Sequence, residues 1–137
     1  MTDVIDPDPM VLYVLMRNDV PDYKPGKAMA QANHAGTQFI KYANRLTDHS
    51  FRVHFDEWNE AADGFGICIV LTCTYRELIS RTEIARNLGL VAAIVHDPSY
   101  PVRDGHRMQH LPVDTCGFVF GRKSRCSLPL NGLQLSD

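Results

Sequence analysis

The chain has 137 residues, 45% of them apolar and 22% charged, with a formal charge of −2 at pH 7. That composition suits one domain with one buried core, and it excludes a disordered chain and a protein that coats nucleic acid over its whole surface. Residues 11–16 and 67–71, the longest apolar runs, are too short to cross a bilayer, and no charged-apolar-small pattern opens the chain; a soluble, cytoplasmic protein without membrane contact is expected.

Residues 1–9 carry Asp3, Asp6 and Asp8 with two prolines and are expected to form a flexible acidic tail ahead of a domain at 10–137. The nearly continuous apolarity of 11–17 fits a strand buried on both faces. A polar loop then places Lys24 and Lys27 around Pro25 and Gly26, and proline at the first helical position puts both lysines at the positive end of a helix dipole. Cations there cost stability, so the loop is expected to face an anion. The helix should run over 25–46, with Met29, Ala32, Gly36, Phe39, Ile40 and Ala43 as its apolar stripe and Lys27, Gln31, His34, Gln38 and Lys41 on the other side.

Residues 49–64 hold Phe51, Phe55 and Trp58 among polar residues and suggest a loop with a short helix whose aromatics cap the core. Gly64-Phe65-Gly66 precedes a strand at 67–72 instead of opening a helix, so it is no dinucleotide fingerprint. Thr74 and Glu77 make a capping box for a helix that should stop at Gly89. A third apolar strand at 90–95 leads to Asp97, a fourth at 115–121 should enter antiparallel, and 128–135 is apolar enough for a short final strand or edge. Cys68, Cys73, Cys116 and Cys126 lack CxxC spacing and are expected to be reduced, mainly as core residues.

Alternating strands and helices imply an α/β single domain: a small mixed four-stranded sheet, with 11–17, 67–72 and 90–95 parallel and helices packed on both faces. Ligands of such sheets bind beyond the carboxyl ends of the parallel strands. Residues 17–27, 72–74 and 96–102 arrive there, joining Lys27 and Asp97 with Arg17, Asp19, Gln31 and His34. His106 and His110 have the i, i+4 spacing of metal ligands, but Gly105 and Pro101 interrupt any helix and no HExxH pattern exists; neither metal nor cofactor is expected. No G-x-S-x-G elbow is present. From Arg103 onward basic residues outnumber acidic ones, enough for a rim that touches RNA phosphates.

Arg17-Asn18-Asp19, Pro25-Gly26-Lys27, Ala30-Gln31 and His34-Ala35, followed by Asp97 at a strand end and Gly117-Phe118-Val119-Phe120-Gly121, resemble type II peptidyl-tRNA hydrolases over most of the chain. The resemblance implies an esterase that cleaves between a peptidyl group and the 3′ end of tRNA, without metal, and a protein that is often a homodimer. It makes Lys27 and Asp97 catalytic, and Arg17, Asp19, Lys24, Gln31, His34 and Ser99 substrate-binding. An ammonium suits an oxyanion or a terminal phosphate; an aspartate can orient water, take its proton or fix the lysine. Where the family continues its aspartate with Ala-Gly-x-Thr-Gln, this chain has Pro98-Ser99-Tyr100-Pro101-Val102, so the family threonine has no match there and Ser99 or Thr115 is left to replace it. The loop before Lys27 is also one residue longer. These departures point to a divergent branch, one that a virus could encode. A non-catalytic tRNA- or protein-binding module, or a hydrolase of another ester or amide, would use the same scaffold.

Overall fold

The computed structural model describes residues 5–136. In chain order the elements are β1 (Met10–Arg17), α1 (Pro25–Ala43), α2 (His49–Gly64), β2 (Cys68–Cys73), α3 (Tyr75–Asn87), β3 (Val91–Asp104), β4 (Arg107–Arg122), α4 (Lys123–Cys126) and β5 (Gln134–Leu135). The sheet has the order β3-β4-β1-β2-β5. Five strands thus replace the four expected, because the short C-terminal edge pairs Leu135 with Leu71 and Gln134 with Thr72. β1 and β2 are parallel neighbours, while β4 lies antiparallel to both β1 and β3. The three strands expected to be parallel do share a direction, but β4 stands between β1 and β3.

β1 is central, and Met10 through Met16 are all buried. Its alternating side chains feed two cores. Val11, Tyr13 and Leu15 pack with Leu71, Leu78, Ala85 and Val119 under α3. Met10 and Leu12 pack with Phe39, Phe55, Trp58, Phe118 and Phe120 under α1 and α2. Helices therefore cover both faces.

α1 begins with Pro25 in its first turn but ends at Ala43 instead of 46. Arg52 Nη1 donates to the Ala43 carbonyl at 2.8 Å, and Arg45 N and Leu46 N bond back three residues, so the last carbonyls are satisfied by a turn and not by more helix. Its buried row is Gln31, Ala35, Phe39 and Ala43, and Met29 is 70% exposed. The i+4 row that starts at Lys27 faces the sheet most deeply and shares Phe39 and Ala43 with the expected stripe, of which Ala32, Gly36 and Ile40 are half-buried and Met29 alone is exposed. α2 is also more helical than its composition suggested. Asp48 accepts from Phe51 N and caps it, and Phe55 and Trp58 are buried as core aromatics; the helix breaks where Ala61 turns extended and Ala62 and Asp63 turn left-handed. Gly66, at φ +75°, lies under Trp58 so closely that a Cβ would fall within the indole. The Thr74–Glu77 capping box at α3 forms as expected.

The largest difference lies in β3 and β4. Pro98, Pro101 and Pro112 suggest a loop, yet the strands continue to Asp104 and from Arg107 as one long hairpin. β3 is an edge strand, where missing N–H donors are tolerated, and Pro98, Ser99 and Pro112 occupy the register shift between Asp97↔Val113 and Tyr100↔Leu111. A second shift leaves Thr115 unpaired between Val95↔Cys116 and His96↔Asp114.

Of the expected acidic tail, residues 1–4 lie outside the described residues. Asp8 accepts from both the backbone N and the hydroxyl of Ser124, at 2.8 and 2.7 Å. No helix among the described residues is long and apolar enough to cross a membrane.

Candidate functional site

The buried row of α1 meets β3 and β4 near the carboxyl end of β1. The Thr115 bulge turns two consecutive β4 side chains toward α1: the Thr115 hydroxyl donates to Gln31 Oε1 at 2.6 Å, and the Cys116 thiol donates to the Gln31 carbonyl at 3.4 Å. The Gln31 amide then donates through Nε2 to Asp97 Oδ2 at 2.8 Å. Asp97 uses its other oxygen to accept from Ser99 N at 2.8 Å, a local turn that holds the chain at the first proline bulge. Gln31 is 5% and Thr115 1% exposed, whereas Asp97 is half-buried and reaches solvent. A buried hydroxyl and amide thus hold a reachable carboxylate.

Asp97 lines an open cleft of about 660 Å³ between α1 and the free edge of β3. His34, Thr37, Gln38, Lys41 and Tyr42 of α1, with Arg45 in the turn after it, form one wall. Gln38 Nε2 donates to the Ile94 carbonyl at 3.2 Å and so closes part of the strand edge.

Lys27 does not meet Asp97. Its ammonium donates to Asp22 Oδ2 at 2.6 Å and to the Pro101 carbonyl at 2.7 Å, 5.4 Å from the Tyr100 ring centroid. Asp22, at φ +52°, also accepts from Arg103 N at 3.1 Å. The lysine therefore latches the turn end of the hairpin to the loop before α1. The Lys27 side-chain hydrogen bond, followed by that from Arg103 N, holds the Asp22 carboxyl below the usual carboxylate range. The anion that the two-lysine loop was expected to face is supplied by Asp22 itself, with Lys24 Nζ 3.9 Å away.

Arg17 and Asp19 belong to a separate network under α3. Arg17 Nε donates to Asp19 Oδ1 at 2.8 Å, Nη1 donates to the Asp114 carbonyl at 2.9 Å, and the guanidinium lies 4.4 Å from the Tyr75 ring centroid. Asp19 also accepts from Tyr75 N at the start of α3. Asp114 accepts from the Tyr75 hydroxyl at 2.7 Å and faces His96 Nδ1 at 2.8 Å. The Tyr75 hydrogen bond, then that to His96, lowers Asp114, and the same Tyr75–Asp114 bond raises the phenol.

Of the residues singled out in the sequence, His34 and Asp97 line the cleft, and Gln31 and Ser99 bond to Asp97. Lys27 lies one turn before Gln31 on the same row, Lys24 is exposed, and Arg17 and Asp19 point elsewhere. Thr115, and not Ser99, is the hydroxyl tied to the carboxylate through Gln31. Asp114 and Tyr75 gave no signal in the sequence beyond a capping box at 74, because their pairing depends on the bulged hairpin. Burial pushes the Cys116 and Cys73 thiols up to about 11 and about 12, leaving them poor nucleophiles. His106 sits at the hairpin turn and His110 Nδ1 faces the Ser99 carbonyl at 3.3 Å. Among the described residues no three His, Cys, Asp or Glu side chains are grouped to hold a metal ion.

No curated protein matches the chain. The family model for peptidyl-tRNA hydrolase PTH2 matches residues 10–108, which include Lys27, Gln31 and Asp97 and stop before Thr115. With most of its length matched, the chain belongs to the peptidyl-tRNA hydrolase PTH2 family.

Proposed function

We propose that the protein hydrolyses the ester between a peptidyl group and the 3′ end of tRNA, without a covalent intermediate or metal. The observation that carries this reading, beside the family, is the solvent-reachable Asp97 carboxylate held by buried Gln31 and Thr115. Asp97 orients a water and takes its proton as the water oxygen attacks the ester carbonyl carbon. The tetrahedral oxyanion then collapses, and the terminal ribose oxygen leaves and regains a proton. Gln31 and Thr115 are positioning residues, since they act through Asp97.

Lys27 supplies the cation for the oxyanion, and it reaches the reacting carbonyl by exchanging its contacts to Asp22 and Pro101 for the substrate. Ser99 holds Asp97 in its turn, and His34 borders the substrate. Arg17, held by Asp19, braces the Asp114 carbonyl next to Thr115 and so acts at a distance from the substrate. The engagement of Lys27 favours a second reading, a tRNA-binding module that keeps the scaffold without turnover. Incubation of purified peptidyl-tRNA with the protein separates them. Release of free peptide and deacylated tRNA supports the esterase, whereas retention of intact peptidyl-tRNA supports the module.

A further inference from the structure

We propose that the α1–β3 cleft is a groove for single-stranded 3′-terminal RNA, with Lys41 and Arg45 on phosphates and Tyr42 stacked on a base; it rests on the esterase reading only in placing the terminal ester at Asp97. Three α1 residues, His34, Gln38 and Lys41 at i, i+4 and i+7, line the groove in a row, and Arg45 continues it from the turn after the helix. At 1.5 Å per residue the helical part, His34 to Lys41, extends about 10 Å along the edge of β3, with Arg45 beyond it. Asp97 lies at the His34 end, and its carboxylate is the one acid lining the cleft.

The other end is cationic and aromatic. Lys41 and Arg45 enter none of the ion pairs among the described residues. Neither is needed to close the helix, because Arg52 takes the Ala43 carbonyl and backbone N–H groups of the following turn take those of Ile40 and Tyr42. Tyr42 is 43% exposed beside them, outside the aromatic core that buries Phe39, Phe55 and Trp58. Elsewhere Arg122 is paired with Glu57, Arg125 with the Leu88 carbonyl, Arg17 with Asp19 and Lys27 with Asp22, while Arg76, Arg103, Arg107 and Lys123 also enter none of the ion pairs among the described residues but do not line this cleft. A cationic groove with an exposed ring suits a single strand, which offers a phosphate line and open base faces together, and suits a duplex poorly because its bases are already stacked. The polarity follows: RNA runs from Arg45 toward Asp97, and the peptidyl group continues past Asp97 toward the Lys27 latch.

The test is fluorescence anisotropy of a short 5′-labelled single-stranded oligoribonucleotide with a free 3′-hydroxyl, titrated with the full chain at several salt concentrations. Lys41→Gln/Arg45→Gln should weaken binding about tenfold or more, and lower the slope of log affinity against log salt by about 1.4, two phosphate contacts' worth. Tyr42→Phe should bind like the wild type and Tyr42→Ala about tenfold more weakly, since a ring without its hydroxyl still stacks. Wild-type affinity in either the double variant or Tyr42→Ala overturns the proposal, as does loss of binding in Tyr42→Phe. With peptidyl-tRNA, the double variant should lose kcat/KM mainly through KM. If the wild type binds the oligonucleotide through these residues but releases no peptide, the esterase reading fails and the groove stands. If it releases peptide and the double variant keeps wild-type binding and KM, the groove fails and the esterase reading stands.

Discussion

Replacing Gln31 by leucine removes the link between a buried hydroxyl and the reactive carboxylate at nearly constant volume. Thr115, 1% exposed, loses the acceptor at 2.6 Å and keeps only a weak contact to Cys116 Sγ at 3.7 Å. An unsatisfied buried hydroxyl costs about 1–3 kcal/mol. Asp97 loses its donor at 2.8 Å but remains open to water, so its share of the cost is small. For a domain of this size the sum corresponds to a Tm lower by about 3–10 °C. Kinetically, a carboxylate free to rotate should lose up to about a hundredfold in kcat with little change in KM. Adding Thr115→Val removes the orphaned hydroxyl, so Gln31→Leu/Thr115→Val should regain most of the thermal stability while kcat stays low. Thermal unfolding and steady-state hydrolysis of peptidyl-tRNA on both variants check this. Unchanged kcat in Gln31→Leu, or recovery of kcat together with stability in the double variant, would refute a positioning role.

Three further outcomes are expected. Lys27→Met should lower hydrolysis on the order of a hundredfold, as for loss of one oxyanion donor, and should speed proteolytic nicking of the hairpin released from Asp22; Asp22→Asn should speed nicking while keeping most of the turnover, and equal turnover in Lys27→Met and wild type would reduce the lysine to a latch. Asp114 is held below its ordinary range, so the stability it contributes is present above pH about 4 and lost as pH falls through its lowered value; Tyr75 is raised, so its contribution is present below pH about 10 and lost as pH rises through its folded value. Tyr75→Phe should therefore move the acid limb of a Tm-against-pH curve upward and remove this alkaline contribution, and superimposable curves would contradict the pairing. Turnover should survive exhaustive chelation, and its restoration by added Zn²⁺ after loss would promote His106 and His110 to ligands.

Local signals carried the elements whose stability is local. The apolar run of β1, the Pro25 helix start and the Thr74–Glu77 capping box each state their structure within a few residues. The long hairpin was hidden because Pro98, Pro101 and Pro112 are read as breakers, and only its place at the sheet edge makes them tolerable. The buried row of α1 was legible in Phe39 and Ala43 but not in Gln31, a polar residue whose burial depends on a bulge 84 residues later. At the site, Asp97 and Gln31 were legible as polar residues at a strand end and on a helix face. That Thr115 completes them was not, since a strand read with period two would place Thr115 and Cys116 on opposite faces. Lys27 was legible as a misplaced cation, but its partner Asp22 carries no mark in the sequence that separates it from Asp97.

The most direct test of the account is the rate of peptide release from purified peptidyl-tRNA by the wild type and by Asp97→Asn, measured with excess enzyme and accompanied by tRNA binding and thermal unfolding. Release by the wild type is expected, and a rate lower by about a hundredfold or more in Asp97→Asn, with tRNA affinity and Tm nearly unchanged. Equal rates in the two proteins, or no release by the wild type, would contradict it.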